Sequence, residues 1–434
     1  MERAARLLYT LLWWLALPLL PLRLLWRARS EPGYRARIGE RFGHYADPPS
    51  RAGPGRRIWI HAVSVGETRA IAPLVERLRA CDSPPSILLT HTTATGRETG
   101  RALFGDAVLQ AWLPYDVPFA VRRFLARFRP HAGLLVETEL WPNLAATAAE
   151  AGVPLYLVNA RLSERSARGY ARIAPLSRPM LRSLAGVAAQ AEADAQRLHA
   201  LGARDVTVTG NLKFDVPVPD ALRERGRELR SAIGRDRPVL LIASTRDGEE
   251  ALVLDAMSRA DRALPAGTLV VIVPRHPQRF DAVAALLRER GVTSARRSAD
   301  APVPAEARVL LGDSMGEMFA YYAAADVAFV GGSLLPLGGQ NLIEPLAAGT
   351  ATLIGPHTFN FAQASDAAVV AGAARRVGDA DELVRVGGQL LADAPAREHM
   401  RANAEAFIAA HRGAVDRLWA WLAPRLGFSP AAGD

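Results

Sequence analysis

Apolar positions in this chain follow two patterns. The first is one long run, residues 7–26 (LLYTLLWWLALPLLPLRLLW), interrupted by Pro18, Pro21 and Arg23. Twenty helical residues extend ~30 Å, about the hydrocarbon thickness of a bilayer. The second pattern starts at Arg57, where short runs rich in Val, Ile and Leu alternate with Ala/Arg/Leu stretches of helical length. Continuous apolar runs of this size are the form taken by strands buried on both faces of a parallel sheet. In the first half they are IWIHAVSV (58–65), ILLTHTTA (87–94), VLQAWLP (108–114), AGLLVETE (132–139), PLYLVNAR (154–161), GVAAQ (186–190) and VTVTG (206–210). Residues 216–237 are charged and Pro-containing, which suits a linker followed by a helix. A second series then runs PVLLIAST (238–245), TLVVIVPRH (268–276), RVLLGDS (308–314), DVAFVGGS (326–333) and ATLIGP (351–356).

The pattern predicts an α/β protein with two Rossmann-like, doubly wound domains joined near residue 215 and a cleft between them. The expected divisions are an N-terminal membrane anchor (1–30), a first domain (31–214), a second (215–397) and a terminal segment (398–434). That last segment is expected to form one apolar helix, around 398–423 with Trp419 and Trp421, packing across the domain junction.

In such sheets ligands sit beyond the carboxyl ends of strands, and the residues there are polar and Gly-rich. Glu67 follows a strand and Gly66 at the start of a helix, where a carboxylate acts as a general base or only complements the helix dipole. Glu137 and Glu139 end one strand and, at period two, are expected on the same side. They either tune each other's proton affinity or pair with arginines. Arg275, after Pro274, suits phosphate recognition or a structural role. Ser314, Met315 and Gly316 read as a strand end feeding a helix whose free N–H groups attract an anion. Gly338 and Gly339 precede a helix expected to carry Asn341 and Glu344 on one face.

Charge narrows the partners. The formal charge is +9, so an acidic partner is expected: nucleic acid, anionic lipid or a phosphorylated substrate. Lys213 is the single lysine among 53 basic residues, and asparagines number six. A bias that strong marks the surviving Lys and Asn as candidates for positions where chemistry forbids replacement. One cysteine, Cys81, excludes a disulfide scaffold and a Cys-based zinc site. No P-loop, no GxGxxG after the first strand and no metal-ligand spacing occur, so neither a bound metal nor another cofactor is expected. The aromatic-studded basic stripe that RNA binding needs is not evident, so no nucleic-acid partner is expected. Around residues 7–26 the arginines are uneven: Arg3 and Arg6 precede, while Arg23, Arg27, Arg29, Arg35, Arg37 and Arg41 lie within or after. The positive-inside rule then places the body on the cytoplasmic face. Pro18, Pro21 and Arg23 leave both a span and a helix lying in the interface open.

Ten runs together, RIGERFG, HAVSVGE, ETELWPNL, NARLSERSARGY, GNLKFD, VPRHPQRF, GDSMGEM, DVAFVGGSL, NLIEPLAAG and GPHTFNF, resemble the bacterial 3-deoxy-D-manno-octulosonic acid (Kdo) transferase family. They follow the family's order over nearly the whole chain. The resemblance implies a two-domain, B-type glycosyltransferase anchored at the inner membrane. It implies inverting, metal-independent transfer of Kdo from CMP-Kdo to a tetra-acylated lipid A precursor. It makes Glu67 the proton acceptor and gives Glu137 and Lys213 the task of steadying the transition state. Pro274, Arg275, Met315, Gly316, Glu317, Asn341, Leu342, Ile343 and Glu344 become the CMP contacts. Arg246 and Gln340 depart from the pattern, which often has His at both positions.

Overall fold

The computed structural model describes residues 1–29, 31–46, 55–260 and 263–428. Ser30, at the end of the expected anchor, and residues 429–434 of the expected terminal segment lie outside the described residues. The chain divides into two compact units: residues 1–216 with the segment from Arg412 onward, and Pro217–His411.

Unit 1 contains β1 (Arg57–His61), β2 (Ser86–His91), β3 (Leu109–Trp112), β4 (Ala132–Val136), β5 (Leu155–Ala160), β6 (Gly186–Ala189) and β7 (Val206–Val208). They pair in parallel in the order β3-β2-β1-β4-β5-β6-β7. Unit 2 contains β8 (Val239–Thr245), β9 (Leu269–Pro274), β10 (Ser294–Arg296), β11 (Val309–Leu311), β12 (Val327–Val330), β13 (Ala351–Ile354) and β14 (Ala374–Arg376). These too are parallel, in the order β10-β11-β9-β8-β12-β13-β14.

The two-residue period of a strand sends alternate side chains to opposite layers. Ile58 and Ile60 enter one core cluster and Trp59 the other; in unit 2, Leu240 and Ile242 face one cluster while Val239, Leu241 and Ala243 face the second. Helices on both faces of each sheet bury these side chains, which is why the strands read as unbroken apolar runs. Two strands, β10 (SAR) and β14 (ARR), do not follow that pattern. They are three residues long and sit at the two edges of the second sheet, where pairing on one side needs no apolar run.

The expected single terminal helix is two. Gly413, at φ +82°, breaks the chain between helices Ala394–His411 and Ala414–Arg425. The first belongs to unit 2. The second returns to unit 1, where Leu418, Trp419 and Leu422 join the core. Asp215 seats it by accepting from Gly413 N–H (2.7 Å) and Val415 N–H (2.6 Å), a carboxylate at a helix start where orphan donors and the dipole favour it.

Candidate active site

The carboxyl ends of adjacent strands in unit 1 gather the first group of expected residues. Past β1, Ser64 caps helix Val65–Ala70, its Oγ accepting from Glu67 N–H at 3.3 Å. The Glu67 carboxylate reaches back, Oε1 taking the Ser64 hydroxyl (3.1 Å) and Oε2 the Val63 N–H (2.5 Å). Ser-x-x-Glu, here SVGE, is the sequence form of a capping box. Glu67 is 9% exposed. Burial pushes its carboxyl up from 4.5 to about 8, the Glu137 charge adds to this, and the Val63 and Ser64 donors oppose it. The cap therefore holds the side chain in place, and burial beside other carboxylates brings its proton affinity close to neutral pH.

Past β4 the backbone turns. Glu137 has φ +63°, a left-handed conformation uncommon for a non-glycine residue. The turn breaks the strand period, and Glu137 and Glu139 take different partners while both charges bear on Glu67. Glu137 Oε1 lies 2.7 Å from Lys213 Nζ, both side chains being largely buried. Glu139 instead faces His61 Nε2 (3.8 Å) and takes the Trp141 indole N–H (3.0 Å). Burial works against the Glu139 carboxylate, but the His61 ring and the Trp141 donor outweigh it and hold the carboxyl below its ordinary range.

Past β7, Lys213 is set by two asparagines. Asn211 Oδ1 accepts from Lys213 N–H (3.0 Å). Fully buried Asn159, at φ +51°, accepts the neighbouring Leu212 N–H on its Oδ1 (3.0 Å). Asn tolerates this left-handed conformation better than most residues. Asn159 had no assigned role beyond its rarity; its place at the end of β5, opposite the Lys213 turn, is visible only in the fold.

In unit 2 the second group sits past β9, β11 and β12. Pro274 closes β9, and Arg275 follows with its N–H bonded to Thr245 O (3.0 Å) and its Nε to Gln340 Oε1 (3.3 Å). Burial lowers the proton affinity of His276, and the charges of Arg275, Arg246 and Arg279 lower it further, so three guanidinium groups share this neighbourhood. Two buried glutamates support them. Glu249 accepts from Arg246 N–H (2.8 Å), Gly332 N–H (2.6 Å) and Leu334 N–H (3.0 Å), tying the ends of β8 and β12 together. Glu250 holds Arg279 through two bonds of 2.7 and 2.8 Å.

Met315 is exposed and Gly316 takes φ +81°. The following helix begins only at Met318, later than the Ser314–Gly316 start expected, because Gly316 holds a left-handed backbone; Ser314 Oγ bonds Glu317 (2.6 Å) and Tyr321 OH (2.6 Å). Glu317 also meets Arg225 (2.9 Å) and Arg297 (3.3 Å). Asn341 lies outside helix Ile343–Ala348 rather than on its face. Its Oδ1 accepts from Ile343 N–H (3.2 Å), and its Nδ2 donates to Glu344 Oε1 (3.1 Å). Leu342 and Ile343 turn their side chains into the core, so only their backbone is available to a ligand. A pocket lined by Arg237, Thr268 and Arg308 lies at the amino end of β9, away from all of these residues. Among the described residues no group of three or more His, Cys, Asp and Glu side chains could hold a metal ion.

Residues 36–216 match the family model described as 3-deoxy-D-manno-octulosonic-acid transferase (kdotransferase). A 3-deoxy-D-manno-octulosonic acid transferase of Bordetella pertussis is 49% identical over 424 residues, covering 93% of this chain and 97% of the relative. The chain belongs to the Kdo transferase family. A second Kdo transferase, from Haemophilus influenzae, is 38% identical over 400 residues, covering 92% of this chain and 93% of that protein. In fold, the chain is similar to the UDP-GlcNAc 2-epimerase of Neisseria meningitidis (TM-score 0.58, 16% identity, 84% of this chain and 100% of that one). For a Kdo transferase, two parallel-sheet units with polar strand ends are the B-type glycosyltransferase arrangement expected from the sequence, and the chain is an enzyme of that class.

Proposed function

We propose that this protein transfers Kdo from CMP-Kdo to a hydroxyl of a tetra-acylated disaccharide lipid A precursor, with inversion, at the cytoplasmic face of the inner membrane. The observation that carries this reading is the buried Glu67 carboxyl, raised to about 8 beside the Glu137–Lys213 pair. An acceptor hydroxyl is a weak nucleophile, and a positioned carboxylate contributes about 10²–10⁴-fold. Glu67 takes the hydroxyl proton as the oxygen bonds to the anomeric carbon. The bond from that carbon to the phosphate oxygen breaks, and its electron pair leaves with CMP.

Charge then grows on the phosphate. Arg275 and its neighbour Arg246 are placed in this reading to meet it, with Asn341, Glu344 and the backbone of 315–317 and 342–343 holding the rest of the nucleotide. Lys213, steadied by Glu137, offers a compact ammonium to the Kdo carboxylate. The cationic side chains supply the charge stabilisation, so no divalent ion is assigned a part.

The deciding experiment incubates CMP-Kdo with purified acceptor and weighs the product. One or more added Kdo units are expected. Glu67→Gln should lose at least ~10²-fold in turnover while CMP still raises its melting temperature. Stabilisation by UDP and not CMP would replace the donor in this reading; normal turnover by Glu67→Gln would remove the base.

A further inference from the structure

The segment rich in leucine and tryptophan at the amino terminus is not a free-standing helix. Helix Glu2–Ala16, a 3-10 turn at Leu17–Leu19 and helix Leu20–Arg27 run along unit 1 with two unlike faces. One face is docked. Tyr9 donates to Asp116 (2.8 Å), Thr10 to Asn143 (3.0 Å), and Trp13 packs on Tyr115 and Trp141 at ring distances of 5.9 and 6.4 Å. Leu20, Leu24 and Ala28 continue that face at helical spacing and are buried. Beneath it, Asp116 is itself buried and also takes the N–H groups of Asn143 (3.0 Å) and Leu144 (2.7 Å). Burial pushes its carboxyl up to about 6 in spite of these donors.

The other face is bare. Leu8, Leu11, Leu15, Leu19, Leu22 and Trp26 recur at steps of three or four residues and are 54–68% exposed. Exposed Arg3 and Arg23 flank this stripe in the helical projection. The segment's one acidic residue, Glu2, is drawn toward the body, 3.6 Å from Arg182. A contiguous apolar stripe rimmed by guanidinium groups is the form of a helix lying in the plane of a membrane interface. Crossing the bilayer instead would pull Tyr9 and Thr10 from their partners, strip a donor from buried Asp116 and carry Arg6 and Arg23 into hydrocarbon.

We propose that residues 2–28 form a monotopic membrane foot: they stay docked on unit 1 and lay the Leu/Trp stripe into an anionic lipid surface without crossing it. This deepens the membrane association proposed above and is independent of which sugar is transferred. The foot also reaches the candidate site, because Trp13 packs on Trp141, which holds Glu139 two residues from Glu137. The acylated surface and the acceptor end of the site are thereby built on one segment.

The test uses the full chain with Cys81→Ser and single cysteines at Arg3→Cys, Leu103→Cys or Leu15→Cys. In membrane vesicles of known orientation, a membrane-impermeant maleimide should label positions 3 and 103 from the same face; labelling from opposite faces overturns the proposal. A polarity-sensitive dye at position 15 should shift to the blue on vesicles of phosphatidylglycerol and phosphatidylethanolamine. No shift, or the same shift in a lipid-free self-associated species, overturns it as well. Leu8→Gln/Leu15→Gln/Leu22→Gln should lower co-sedimentation with those vesicles at least ~10-fold, with melting temperature and transfer to detergent-dispersed acceptor unchanged. A collapsed melting temperature would mean that the stripe packs into the body. Absence of Kdo transfer in the parent protein would remove the proposed reaction and leave the topology result standing.

Discussion

The carboxyl ends of the two sheets are built alike but gather different side chains, carboxylates at one and guanidinium groups at the other. Both follow seven parallel strands and rest on buried polar anchors. In unit 1 the strand ends present carboxylates: Glu67, Glu137 and Glu139 cluster near Lys213 and His61, and burial drives one of them toward neutral proton affinity. In unit 2 two carboxylates, Glu249 and Glu250, go below the surface. Glu249 is taken by backbone N–H groups and Glu250 by Arg279, which also meets exposed Asp247 (3.1 Å), while Arg246 and Arg275 bring two further guanidinium groups to the same strand ends. One topology thus supports a carboxylate-rich end and a guanidinium-rich end. The difference lies in which side chains the loops bury, not in the sheets.

Breaking the buried anchor of the guanidinium-rich end should have the largest effect. Arg279→Leu leaves Glu250 without its bidentate partner, and we expect a loss of about 3 kcal/mol in unfolding free energy, the low end for a buried pair because Arg279 is partly solvated. Chemical denaturation measures it; a loss under ~1 kcal/mol would mean that water already reaches Glu250. Next is the ammonium of the other end. Lys213→Ala and Lys213→Arg should both fold and both lose at least ~10² in rate, because a planar guanidinium cannot take the place of a point charge. Wild-type rates in the arginine variant would attribute this lysine to composition alone.

Arg275→Ala should weaken CMP binding by ~10-fold or more, the scale of one charge-assisted bond. Calorimetric titration with CMP reads it, and an unchanged affinity would take Arg275 out of the donor site. A subtler change sharpens the carboxylate end. The like charge of Glu137 raises the Glu67 carboxyl, so Glu137→Gln should move the acid limb of the kcat/KM profile to lower pH. A shift upward would contradict the assignment. The raised carboxyl also links to stability: the folded state holds a proton between pH 4.5 and about 8 that the unfolded state releases. Its contribution is full below 4.5 and lost as pH rises through 8. The melting temperature of Glu67→Gln should therefore decline less over that window than that of the parent protein. The smallest effect is none: EDTA should leave transfer unchanged, and activity lost in EDTA and restored by Mg²⁺ would overturn the cation-only account.

Much of the architecture was legible because buried parallel strands leave a plain trace. Runs such as IWIH, LLVE and LLIAS must be apolar on both sides, so their positions are visible in the sequence alone. Edge strands SAR and ARR carry no such constraint and were invisible. The single terminal helix failed for a related reason: apolar periodicity continues through Gly413, and only the left-handed backbone there shows the chain turning back to unit 1. The strand-end residues were legible as types. Their partners were not.

By itself the sequence determined the class of fold, the family, and which polar residues stand at strand ends, because hydrophobic period and short motifs are local properties of the chain. Only the tertiary structure decided that Glu137 turns to Lys213 and Glu139 to His61, that Glu67 is buried near the Glu137 charge, that Glu249 and Glu250 are buried supports, and that residues 2–28 dock by one face and bare the other. Each of these depends on burial and on contacts between residues tens to hundreds of positions apart. Desolvation and Coulomb terms are set by such neighbours, and no local pattern contains them.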